Sequence, residues 1–289
     1  MGDSDGNLNM WDVVTGNLCW HKDGGRGGHR RDSSVGISTD GTIIASGGSD
    51  GHIRIWEGIS GELLADIILA EQVKLDRRMI VPESAIHIVS LAISPDGRWI
   101  ACGIDAPAEI SDAIVVIDTR SWKTSTIIDP TRRMMPIPFK PRESMVVHGA
   151  PFQIGFSPDG RKLLAACCDG ATLFEVPGWR DLGVIGYDWK VDELAWRQQE
   201  YIPPMIHGAR FLGNTLIATL HHYGLVLVAD SGARKRQDSI VFATMARSTV
   251  HRIGWYDQAL ATSPNGRWIA VGANDEVVVL NVDMLGNRL

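Results

Sequence analysis

Residues 47 to 63 read GGSDGHIRIWEGISGEL, and residues 2 to 18 read GDSDGNLNMWDVVTGNL. Shifted by 45 positions, the two stretches share Gly2/Gly47, Ser4/Ser49, Asp5/Asp50, Gly6/Gly51, Trp11/Trp56, Gly16/Gly61 and Leu18/Leu63. Within the second, Gly47-Gly48-Ser49-Asp50-Gly51 spells G-x-S-x-G, the pattern of a hydrolase nucleophile. That chemistry requires a helix directly behind the serine. The chain instead continues His52-Ile53-Arg54-Ile55-Trp56, which alternates polar with β-branched and aromatic residues as a half-buried strand does. Asp50-Gly51 then reads as a turn between strands, because glycine accepts positive φ and aspartate bonds its own local backbone. A structural turn is expected to recur at a fixed offset; a catalytic serine is not.

A second signal recurs along the chain. Ser38-Thr39-Asp40-Gly41, Ser94-Pro95-Asp96-Gly97, Ser157-Pro158-Asp159-Gly160 and Ser263-Pro264-Asn265-Gly266 each separate two alternating apolar runs. Proline presets φ at the second turn position, and the glycine takes the positive φ that follows. The serines are 56, 63 and 106 residues apart, so a worn copy is expected midway in the last interval. Residues 208–230 supply it, with Leu212-Gly213-Asn214 as the degraded turn. A third strand follows in each copy, at Ile53–Trp56, Ile114–Ile117, Thr172–Phe174, Leu225–Val228 and Val277–Leu280. A fourth follows in most, as in residues 62–69. Meandering four-stranded units without a helical pattern between them predict an all-β chain built as a propeller.

The chain resembles the WD40-repeat family at three features. These are the endings Trp11-Asp12 and Trp56-Glu57, the S-P-D-G turns, and the S-D-G turn six residues before each of those tryptophans. The likeness is strongest over residues 2–63. Later copies carry Ile117-Asp118, Phe174-Glu175, Ala229-Asp230 and Leu280-Asn281 where the signature pair belongs. The resemblance implies a β-propeller of four-stranded antiparallel blades: about five blades (35–69, 88–128, 152–186, 207–245 and 258–283) plus a partial N-terminal one (1–22). Residues 1–289 are expected to form a single propeller domain. It also implies a bracing network of His29, Ser46, Asp50 and Trp56 in one blade. His148 stands in the corresponding place in another blade, which lacks the tryptophan. The remaining blades are then expected to rely on apolar packing between sheets. Because strand 7–13 has no first or second strand before it and the last copy stops after a third strand, an incomplete propeller, part of a larger one, is expected. Leu18–His21 is a candidate to finish the last blade.

Bulk composition excludes several classes. The 289 residues include 28 Lys and Arg against 34 Asp and Glu, a net charge of −6, so the whole chain is not a generic polyanion binder. The N-terminus is polar and acidic, unlike a signal peptide, and no apolar run reaches the ~18 residues of a membrane span. The four cysteines, Cys19, Cys102, Cys167 and Cys168, form no C-x-x-C and are expected to be buried free thiols. These features predict an intracellular protein, cytoplasmic or nuclear, without membrane contact.

Function is expected in the long connections. Most repeat intervals exceed the about 40–45 residues of a WD40 repeat. The surplus falls at 70–86, 129–147, 187–205 and 246–257, with one insertion at Asp105–Glu109 between a second and a third strand. Both connection classes leave a propeller blade at the same face, and enlarged loops on one face of a repeat protein mark a binding face. The four connections between blades, together with 22–33, hold 15 Lys and Arg against 12 Asp and Glu. The basic residues cluster as Arg30-Arg31, Arg77-Arg78 and Arg132-Arg133, with Lys140 and Arg142 nearby. Guanidinium forks match carboxylates and phosphates. The expectation is a non-catalytic scaffold holding a protein partner, acidic or phosphorylated. The alternatives are nucleic-acid or phospho-ligand binding through the same loops, and an enzyme using the central channel. For an enzyme the sequence offers no H-E-x-x-H, no Walker loop and no convergent acid–base set. The neighbours His221-His222 point to opposite faces of a strand. No cofactor or metal is expected. Residues 187–204 hold Val191, Leu194 and Ala195 at helical spacing, with Trp189 and Trp196 as anchors. MMPIPFKPRES (134–144) is expected to be extended.

Overall fold

The computed structural model describes residues 7–22, 34–72, 86–106, 113–129, 134–137, 140–146, 150–167, 170–185, 206–221, 225–230, 239–244, 260–273 and 276–282. Strands dominate, and the only helix among these residues is one turn, α1 (Leu69–Gln72). Two strands, β1 (Leu8–Trp11) and β2 (Leu18–Lys22), form an antiparallel pair. A four-stranded sheet follows: β3 (Ser34–Ile37), β4 (Ile43–Gly47), β5 (His52–Glu57) and β6 (Leu63–Ile68). The next holds β7 (His87–Ile93), β8 (Trp99–Asp105), β9 (Ala113–Asp118) and β10 (Lys123–Ile128). After a two-stranded hairpin, β11 (Met134–Ile137) with β12 (Lys140–Val146), come two more sheets of four. They are β13 (Gln153–Phe156) to β16 (Asp181–Ile185), through β14 (Lys162–Cys167) and β15 (Gly170–Glu175), and β17 (Ile206–Leu212) to β20 (Ser239–Thr244), through β18 (Leu216–His221) and β19 (Leu225–Asp230). A three-stranded sheet of β21 (Leu260–Thr262), β22 (Trp268–Ala273) and β23 (Glu276–Asn281) comes last. In every sheet the strands lie in sequence order, the pattern of short local connections between antiparallel neighbours.

The turn between first and second strands has one geometry, set by its sequence. Ser38, Ser94, Ser157 and Ser263 each donate Oγ–H to the Oδ1 of Asp40, Asp96, Asp159 or Asn265 at 2.6–2.7 Å. The same serine oxygen accepts the backbone N–H five residues on, at 2.8–2.9 Å. Gly41, Gly97, Gly160 and Gly266 take φ of 68 to 72°. Gly213, in the degraded copy, takes 70°.

The chain divides into two compact units, residues 1–130 with 150–155, and 131–149 with 156–289. In the first, Ile53, Ile55 and Ile67 of one sheet, with Leu69 just after it, pack with Ile88, Ile100, Ile104, Val115 and Ile117 of the next and with Ile86 just before it. Gly47 permits this approach: a Cβ there would stand 2.7 Å from Ile88 Cγ2. The other face of the β3–β6 sheet, at Ile44 and Trp56, is covered by Leu8, Met10 and Trp20 of the β1–β2 pair. In the second unit, Leu212, Ala218 and Leu220 pack against Leu260, Ile269 and Val271.

Several expectations need correction. Residue Leu69 is helical rather than the end of a fourth strand, so the connection after β6 begins as a helical turn. Leu18–Lys22 pairs with β1, which leaves the last sheet with three described strands. Cys19 is exposed, because it sits at an irregularity in β2 on the face turned away from Leu8 and Trp20; Cys102 and Cys167 are buried free thiols. Cys168 lies outside the described residues.

Candidate functional site

The strand order fixes where connections leave each sheet. Turns between first and second and between third and fourth strands share one end. Turns between second and third strands, and the connections to the next sheet, share the other. Arg30, Arg31, Arg77, Arg78, Arg132 and Arg133 fall in connections of the second kind and lie outside the described residues, as do Trp189, Trp196 and His148. Lys140 and Arg142 fall on β12, where the Pro-rich stretch forms a hairpin with Met134↔Val146 and Pro136↔Ser144 as cross-strand partners. Its described residues, 134–137 and 140–144, are extended, and the two strands form a small sheet of their own.

Of the expected bracing network, the described part is the Trp56–Ser46 contact: the indole Nε1–H donates to Ser46 Oγ at 2.9 Å. His29 lies outside the described residues. Asp50 is held from its own hairpin, accepting the His52 N–H at 3.2 Å and pairing with Arg54 Nη1 at 2.8 Å. Arg54 Nε is also 3.7 Å from Asp66 Oδ2, and His52 Nδ1 is 2.8 Å from Asp66 Oδ1. Arg54 and Asp66 are direct cross-strand partners, while His52 reaches Asp66 diagonally. The sequence reading missed this cluster, although its signal is present. His52 and Arg54 alternate with Ile53 and Ile55, so they share the face that carries Trp56, opposite the apolar core.

Ser49 lies at the turn between β4 and β5, where Gly51 takes φ of 75°. No helix follows it, so the hydrolase geometry is not formed. Among the described residues no group of three or more His, Cys, Asp or Glu is placed to hold a metal ion. Burial pushes the pKa of the Cys102 thiol far up, which makes it a poor nucleophile. The shifted carboxylates are those of the turns. The Ser38 hydroxyl and the Thr42 N–H and hydroxyl bring Asp40 down to about 2. At Asp96 burial pushes the pKa up, but the Ser94 hydroxyl and the Arg98 N–H outweigh it and the net shift is down. These groups act within the turns, and their task is to hold strand ends. No described helix is long and apolar enough to cross a membrane.

Comparison with known proteins bears on this geometry. The sequence profile of the WD domain, G-beta repeat, matches residues 24–57, which end on Trp56-Glu57, and residues 82–109. Those two stretches carry WD40 repeats. The matched stretches cover β3–β5 and β7–β8, in the two sheets that share a core. The Protein LST8 homolog of Drosophila melanogaster is 27% identical over 186 residues, 53% of this chain and 55% of that protein. The matched part thus spans about half the length of that relative. Among solved structures, the Cps50 (Swd1) β-propeller domain of Myceliophteria thermophila matches 88% of this chain and 66% of its own, with a TM-score of 0.58 at 15% identity. That likeness shows the fold: the WD40 sheets are blades of a β-propeller.

Proposed function

We propose that this WD40 chain is a non-catalytic protein-interaction scaffold, using the loop-rich, locally basic end of its blades to hold a partner bearing acidic or phosphorylated groups. The observation that supports it most is topological. The three arginine pairs, Arg30-Arg31, Arg77-Arg78 and Arg132-Arg133, all fall in connections that leave a sheet at the end opposite its Ser–Asp turns. In the four sheets that carry them, the turns fix one end with side-chain hydrogen bonds, and the other end is free to vary in length and chemistry. Function in repeat proteins concentrates at such variable ends. The hairpin carrying Lys140 and Arg142 is inserted in one of these connections.

The test is affinity capture from a cell lysate with the wild-type chain and with all six arginines changed to serine. The proteins held by the wild type should be lost from the variant and reduced by phosphatase treatment of the lysate. They should persist after nuclease treatment. Capture that is unchanged by the six substitutions would remove the basic face from the mechanism, and nuclease sensitivity would replace the protein partner with a nucleic acid.

A further inference from the structure

At the Ser–Asp turn end of the first two sheets the surface has a different chemistry. Turn 12–16 closes through Asp12 N–H to Asn17 O at 2.9 Å and Gly16 N–H to Asp12 O at 2.8 Å. Asp12 Oδ1 accepts the N–H groups of Val14 and Thr15, both at 2.8 Å. Turn 57–61 closes the same way, through Glu57 N–H to Glu62 O and Gly61 N–H to Glu57 O, with Glu57 Oε2 accepting the Ser60 N–H. In neither turn does an aliphatic side chain take part in the closure. Yet Val13 and Val14 are 96% and 90% exposed, and Ile59, at the position equivalent to Val14, is 84% exposed. Turns ordinarily place polar residues there. The equivalent turn of the third sheet does so, with Thr119, Arg120 and Ser121.

The exposed apolar residues are grouped. Trp11 and Leu18 are cross-strand partners at the base of the first turn and are each about half exposed. Trp20, on the same hairpin, donates its indole N–H to Gly58 O at 3.1 Å, which pins the β1–β2 pair beside turn 57–61. Leu63 and Leu64, just past that turn, are also half exposed. A group of this kind goes beyond the single apolar residues normal on a surface and marks an interaction site.

Charge specifies the partner. Over residues 7–21, 34–47 and 57–64 the acidic residues are Asp12, Asp40, Glu57 and Glu62, and there is no Lys or Arg. Lys22, whose side chain runs along Gly61, is the described cation beside them. The turn N–H and hydroxyl donors hold Asp12, Asp40 and Glu57 below their usual pKa, so these stay ionised at neutral pH. Such a surface repels nucleic acid and anionic membrane, and attracts cations flanking an apolar anchor. We infer that the turn end of the β1–β2 pair and the β3–β6 sheet is a second docking surface, for a basic amphipathic segment of a protein partner, with Val13, Val14 and Ile59 as the apolar contact. This surface is independent of the arginine pairs at the opposite sheet ends.

The experiment uses the full chain and a labelled 14-residue peptide of alternating Leu and Lys blocks, with a Glu-for-Lys version as control. Fluorescence anisotropy should show binding of the Lys peptide, weakened at least ten-fold in Val13→Ser/Val14→Ser/Ile59→Ser, and no binding of the Glu peptide. Because all three residues are exposed, the variant should melt at the wild-type temperature. The six-arginine variant should bind the Lys peptide as the wild type does. Absence of binding, equal binding by the triple-serine variant, or equal binding of the Glu peptide overturns the proposal. Two further outcomes reassign the surface and equally overturn it: sedimentation of the wild type, but not the variant, with phosphatidylserine vesicles, or a concentration-dependent dimer abolished by the three substitutions.

Discussion

The third sheet (β7–β10) and the last (β21–β23) start from nearly the same words, ISPDGRWIACG at 93–103 and TSPNGRWIAVG at 262–272. Their turns are superposable in hydrogen bonding, Ser94 and Ser263 making the same two bonds within 0.1 Å. Their tryptophans differ. Trp99 is 7% exposed and Trp268 is 44% exposed. The difference extends across the same face: Ile114 and Val116 on β9 are fully buried, whereas Val277 and Val279, at the matching register on β23, are 70% and 57% exposed. On the third sheet that face is met by the chain at Pro151, so closely that a Cβ on Gly103 would run into the Pro151 carbonyl. Local sequence therefore builds the turn and the strand, while the neighbour decides whether the strand's face is core or surface.

The largest effect that can break this comparison is a truncation on each face. Ile114→Ala removes a fully buried side chain and should lower unfolding stability by about 2–5 kcal/mol, through lost transfer energy and a residual cavity. Val277→Ala, on the exposed face, should stay within about 0.5 kcal/mol. Chemical denaturation of both variants measures this. Comparable losses would mean that the face at Val277 is covered in solution as the face at Ile114 is.

A smaller effect should separate the two turns. Ser94 is buried, and its Oγ bonds the N–H of buried Trp99. Ser94→Ala leaves that N–H and the Asp96 carboxylate short of a partner and should cost about 1–3 kcal/mol. Ser263→Ala leaves the Trp268 N–H and the Asn265 amide beside water and should cost less than about 1 kcal/mol. Equal costs in thermal melts would show that the turn itself, rather than its burial, sets the penalty.

The same contrast explains what the sequence could and could not disclose. The turns, the third strands and the four-stranded recurrence are written in local chemistry: a serine to bond, a proline to set φ, a glycine to accept φ near 70°, and alternating Ile and Val. Those reach as far as the degraded turn at Gly213. The state of Trp268 is not local, because an identical Gly-Arg-Trp-Ile-Ala run buries its tryptophan elsewhere. The β11–β12 hairpin was legible only as extended chain. Pro136 and Pro141 argue against a strand, and they are accommodated because a two-stranded sheet is all edge, where proline's missing N–H need not be paired. Of the site residues, Trp56 donates its indole N–H to Ser46 and Asp50 pairs with Arg54 four residues on, while Asp66 is a partner of Arg54 that only the β5–β6 pairing makes visible.

The finest distinction between the two sheets is one atom: Asp96 in the third turn is Asn265 in the last. Both accept from the serine hydroxyl and from the N–H two residues on, at 3.1 Å, but only the aspartate titrates. Burial alone would raise the Asp96 pKa; the Ser94 hydroxyl and the Arg98 N–H and charge favour the ionised form and bring it below the usual 3.8. A carboxyl whose folded pKa lies below its unfolded value contributes stability that is complete above pH 3.8 and is lost as pH falls through the folded pKa. Asp96→Asn should therefore flatten the acid limb of the melting-temperature profile below about pH 4, leaving its shape at neutral pH unchanged. Asn265→Asp should steepen the same limb, since the last turn offers the new carboxylate the same hydroxyl and N–H donors. Melting temperatures from pH 7 to 2 for the wild type and both variants test the pair. Parallel acid limbs in all three would mean that the two turns bind the neutral and ionised forms alike, and that their shared hydrogen-bond geometry carries no charge preference.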